Sequence, residues 1–217
     1  MATVLQAQRP ALVRKGLWLN YLTIGYNAVE AVVSIAAGVA SGSVALVSFG
    51  ADSGIEVTSS LAAHWRLRAD ADPKRRERVE RLTHRIIGWS FLALATYVVV
   101  ESATTLWHRE LPEASPVGLA ILLLSVLIMP LIAHASRKVA RALGSRALEA
   151  DAAQTSLCAY LSVIGLAGVG LNAAFGWWWA DPVGALAMLP VILWQGWEDA
   201  RGSPRGGRGA LRESRRL

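Results

Sequence analysis

Apolar residues in this chain gather in six blocks of roughly 15 to 25 residues, with short polar stretches between them. A helix that crosses a bilayer needs about 20 mostly apolar residues. Lipid offers no partner to free backbone groups, so such blocks must be helices or strands of a closed barrel. Barrel strands are shorter and alternate in polarity, whereas these blocks are long and continuously apolar. The pattern predicts an all-α integral membrane protein with six transmembrane helices, near 16–40, 44–65, 86–107, 116–135, 152–175 and 183–197. Pro130 falls inside the fourth, where the missing N–H predicts a kink.

The polar stretches complete the division. Residues 1–15 read as a short basic lead and 16–200 as the membrane domain. Residues 201–217 form a Gly/Arg-rich tail with too little apolar content to fold alone. The lead has neither a long apolar run nor a small-residue cleavage site, so the first span is expected to be retained. Ser41-Gly42-Ser43 and the stretch through Ala180-Asp181-Pro182 read as turns.

Composition agrees with this division. Of 217 residues, 53% are hydrophobic and 18% charged, and the mean hydropathy is +0.37. A soluble domain of this size carries more charge. The net charge of +6 would suggest nucleic acid in a soluble protein. Here the basic residues segregate. Of 22 lysines and arginines, all but Arg109 fall in the lead, in 66–85, in 137–146 or in the tail. By the positive-inside rule those segments face the cytoplasm, with both termini inside, in a plasma or inner membrane. The charge is thus topological, and no nucleic-acid partner is expected. Trp177, Trp178 and Trp179 sit where an interfacial aromatic belt belongs. With one cysteine, Cys158, no intrachain disulfide can form.

Ionisable groups inside a span are costly and mark function. Asp52 and Glu56, in FGADSGIEV, are four apart and share a helix face, about 6 Å from one another. Two carboxylates that close need a proton or a cation between them. The pair reads as a cation site that exchanges metal for protons; the plainer alternative is two side chains reaching for an interface or an arginine. Asn27 and Glu30 share a face of the first span. Glu30 is equally a carboxylate backing the site, a proton relay or an interhelical hydrogen-bonder. Asp151, Gln154, Thr155 and Cys158 make one polar stripe on the fifth span. Cys158 is a soft metal ligand in its thiolate form, or else a small buried hydrophobe. The histidines (His64, His84, His108 and His134) lie at the span ends, and none pairs at ligand spacing. No Ser/His, Cys/His or HExxH arrangement lies within a span, so no enzyme is expected.

These residues resemble the cation diffusion facilitator, or cation efflux, family of zinc and manganese exporters. SGSVALVSFGADSGIEVTSS is similar to that family's second helix, which follows a Ser-Gly-Ser turn and bears two acidic residues four apart. The family more often has Asp where this chain has Glu56. GWWWADPVGALAMLPVILWQGWEDAR is similar to its sixth helix, and ESATTLW fits the end of its third. The resemblance covers about residues 16–200.

The resemblance implies a metal site. In the family a His and an Asp four apart on the fifth helix complete a tetrahedral set, and the matching positions here are Gln154 and Cys158. The implied ligands are Asp52, Glu56, Gln154 and Cys158, backed or proton-linked by Asn27, Glu30 and Asp151. The implied function is export of a divalent cation, zinc first, against protons by alternating access, with no resident cofactor. The alternative is a degenerate member that senses metal or serves in a heteromer; Gln154 and Cys158 favour it. Many members carry a cytoplasmic metal-sensing domain after the sixth helix. Only seventeen residues follow Ala200, so that domain is expected to be lacking, and a homodimer would rest on the spans and short loops.

Overall fold

The computed structural model describes residues 2–68, 73–143 and 146–200. The tail expected over 201–217 lies outside them. Among the described residues there are six α-helices and no strand: α1 Ala2–Ser41, α2 Val44–Arg68, α3 Pro73–His108, α4 Pro116–Leu143, α5 Arg146–Phe175 and α6 Ala180–Ala200. Each contains one of the six apolar blocks. The helices outrun the blocks, however. α1 begins in the lead, and α3 takes up most of the charged stretch before it. Those stretches are rich in Ala, Leu, Gln, Glu, Lys and Arg, which favour helix in water as well as in lipid. α4 is continuous through Pro130.

The distribution of polarity is inverted relative to a soluble protein. Large apolar side chains cover the outside, among them Trp18, Val32, Val39, Trp89 and Leu131. Buried within are Asn27, Glu30, Ser34, Ser48, Asp52, Ser53, Glu56 and Gln195. That arrangement suits a solvent of lipid. Among the described residues, four helical stretches are long and apolar enough to cross a membrane: Pro10–Ser41, Arg85–His108, Pro116–Ala142 and Ala152–Phe175. α2 and α6 carry buried polar groups that lower their apolar content.

α1 and α2 form an antiparallel pair. Gly42 makes the turn at φ +68°, a left-handed backbone that favours glycine. Gly38 and Gly50 then let the two backbones approach. A Cβ on Gly38 would stand 2.7 Å from the Val47 nitrogen, and one on Gly50 2.9 Å from the Ile35 nitrogen. α4 packs with α5, α3 with α6, and α1 with α4, where the Tyr26 and Ser125 hydroxyls stand 3.0 Å apart. α1, α2, α4 and α5 thus surround one interior, flanked by the α3–α6 pair.

The start of α2 is held from two directions. The Ser43 hydroxyl accepts from the Leu46 N–H at 3.1 Å, an N-cap. It also donates to Asp181 Oδ2 at 2.5 Å, while Asp181 Oδ1 accepts from the Ala45 N–H at 3.3 Å. The carboxylate at the first turn of α6 therefore closes the first turn of α2, where a negative group is favoured. After α5, Phe175, Trp177 and Trp179 group together, with the Trp177 and Trp179 rings stacked at 5.3 Å. All three are exposed, as an interfacial belt requires.

Candidate metal centre

The close α1–α2 pairing sets the polar residues of the two helices opposite one another. The Asn27 amide donates to Glu56 Oε2 at 2.8 Å. One turn further along α1, Glu30 Oε2 accepts from the Ser53 hydroxyl at 2.7 Å. The i, i+4 spacing keeps Asp52 and Glu56 on the same side of α2, and both are buried.

α5 adds the third group. Cys158 is fully buried, and its thiol faces Glu30 Oε2 at 3.6 Å. One ligand atom from each of Asp52, Glu56 and Cys158 lies within 4.8 Å of the others. Asp52 is 1% exposed, and neither of its carboxylate oxygens has a hydrogen-bond partner. Glu30 Oε1 is likewise buried without one. Among the described residues no lysine, arginine or histidine is buried. A carboxylate in such a place needs a cation or a proton beside it. Two hard oxygens and one soft sulfur aimed at a common point suit a divalent transition-metal ion.

The remaining predicted residues fall as follows. Asn27 and Glu30 back the group as hydrogen-bond partners of Glu56 and of Cys158. Gln154, half-buried one turn before Cys158, gives its amide nitrogen to Gln195 Oε1 of α6 at 3.2 Å. The side chain of Asp151 lies outside the described residues, as do those of His64 and His84. His108, the last residue of α3, and His134, within α4, are both exposed.

Three partners escaped the sequence reading. Ser53 carries no signal of its own in the sequence, being one serine among several on α2. Gln195 is a lone amide between apolar and aromatic residues of α6, and the rule that flagged Asn27 would have found it. Asp181 was read only as part of a turn; its partner Ser43 is 138 positions away.

The chain is 26% identical over 182 residues to an uncharacterized transporter of the cyanobacterium Synechocystis sp.. That alignment takes in 81% of this chain but 58% of the relative, so the chain spans little more than half the relative's length. Residues 21–203 match the cation efflux transmembrane domain, and the chain belongs to the cation efflux family.

Proposed function

We propose that this chain carries a divalent cation, zinc in the first instance, across a plasma or inner membrane in exchange for protons. The observation that carries the proposal is the buried group of Asp52, Glu56 and Cys158, with both Asp52 oxygens lacking a hydrogen-bond partner. The family resemblance adds Gln154, on the next turn of α5. All six helices span in this reading. α2 runs antiparallel to α1, and its 25 residues reach about 37 Å, enough for a core of roughly 30 Å. The basic helix ends then face the cytoplasm, and two copies pair through their membrane faces.

The chemistry of exchange follows from the ligands. Carboxylate and thiolate bind metal only when deprotonated, so loading a cation releases protons and excess protons expel the cation. A site that alternately faces two compartments thereby couples one flux to the other.

The test is zinc uptake into proteoliposomes with an acidic interior, wild type beside Asp52→Ala. Uptake that collapses without the gradient and in Asp52→Ala, with the variant still folded and inserted, is the expected result. Equal uptake by the variant would remove the site. A second reading, a scaffold that binds metal without moving it, is favoured by the tie of Gln154 to Gln195. It predicts zinc binding by the purified chain that depends on Asp52, and no flux under any gradient.

A further inference from the structure

We propose that Glu30 of α1 is itself a ligand of the cation and takes the fourth place beside Asp52, Glu56 and Cys158. This rests on the reading of that group as the cation site. It assigns the fourth ligand to α1 rather than to Gln154 of α5.

For ligand bonds of about 2.0 Å to oxygen and 2.3 Å to sulfur, neighbouring ligands of a tetrahedral ion stand roughly 3.5 Å apart. Glu30 Oε2 and Cys158 Sγ are 3.6 Å apart. Glu30 touches the group through Cys158 and stands outside the three residues whose ligand atoms lie within 4.8 Å of one another. Loading would therefore draw its carboxylate, and α1 with it, toward those three. Glu30 Oε1 has no hydrogen-bond partner, and the residue is fully buried. Ser53, the neighbour of Asp52 on α2, holds Oε2 in place from behind.

Gln154 offers a neutral amide, a weak ligand for zinc, and its nitrogen is engaged by Gln195. Glu30 offers an anionic oxygen. Three carboxylates and one thiolate carry more negative charge than three carboxylates and an imidazole, and the soft sulfur admits cadmium beside zinc. Three helices, α1, α2 and α5, would then grip the ion, so that binding draws α1 and α5 together.

The test titrates the full chain, purified in detergent, with Co2+ and follows its absorbance. Wild type is compared with Glu30→Gln, Gln154→Ala and Asp52→Asn. Glutamine keeps the size of Glu30 and an acceptor for Ser53 but loses the charge. The expected result for Glu30→Gln is at least tenfold weaker binding, with the thiolate-to-cobalt band kept and the ligand-field bands changed. Gln154→Ala is expected to weaken binding less than Glu30→Gln does. Unchanged binding and ligand-field bands in Glu30→Gln, or a loss confined to Gln154→Ala, overturns the proposal. If the wild type shows no thiolate band, or Asp52→Asn binds like wild type, the cation-site reading itself fails. Should Glu30→Gln not fold, Glu30→Cys decides. A second thiolate ligand there strengthens the thiolate-to-cobalt band about twofold, and an unchanged band overturns the proposal.

Discussion

Asn27 shows how far a single side chain can set the geometry of its neighbours. Its amide gives one hydrogen to Glu56 and so fixes the carboxylate rotamer without supplying charge. Outer partners of this kind are worth about 10- to 100-fold in metal affinity. Asn27→Ala is therefore expected to weaken zinc or cobalt binding at least tenfold, read by titration of the folded chain. Affinity within twofold of wild type would count against the tether. The pairing of Asp52 with Glu56 was legible in the sequence because both sit on one helix, at a spacing that fixes their relative position. What Gln154 touches was not, because Gln195 belongs to another helix and no local spacing relates the two. Cys158 was ambiguous for the same reason: a buried thiol is a ligand or a filler according to what faces it, and what faces it lies on α1 and α2.

At the level of helices, polarity pattern gave existence and order but not ends. Each apolar block became one helix, yet α1 and α3 extend well past the hydrocarbon boundary implied by their blocks. Hydropathy marks where lipid stops, and a helix made of good formers has no reason to stop there. The two motifs most suggestive of family, Ser-Gly-Ser and Ala-Asp-Pro, turn out to be halves of one contact between α2 and α6. Asp181→Ala removes an acceptor for both a hydroxyl and a backbone N–H, and loss of a cap costs about 1 kcal/mol or more. The expected outcome is a lower unfolding temperature in detergent. Cation affinity is expected to fall less than in Asn27→Ala, since Asp181 meets the first turn of α2, about three turns from Glu56. The α1–α2 interface makes a stronger demand. A side chain at Gly50 would collide with the α1 backbone at Ile35, so Gly50→Val must push the helices apart, two residues from Asp52. Expected is loss of zinc binding together with lower stability; a variant that binds and melts like wild type would show that the helices part freely there.

For the molecule as a whole, the inside-out distribution of polarity and the one-sided charge make a joint statement about orientation. Glu113, in the stretch between α3 and α4, and Lys138, near the end of α4, should lie on opposite sides of the bilayer. A membrane-impermeant maleimide is expected to label Glu113→Cys in intact cells and Lys138→Cys only after the membrane is opened. Native Cys158, fully buried, should stay unlabelled in both. Labelling of both variants in intact cells would overturn the proposed topology.

The Ser43–Asp181 contact also has a mechanical meaning. It pins α2 to α6 at one end, and a rod pinned at one end moves as a lever. Asp52 lies about 14 Å along the rod from Ser43, so a tilt of about 10° carries it roughly 2 Å. That is as long as a metal–oxygen bond. At the proposed cation site a tilt of that size would move one ligand by a full bond length, so the affinity of the site would be a sensitive gauge of helix tilt.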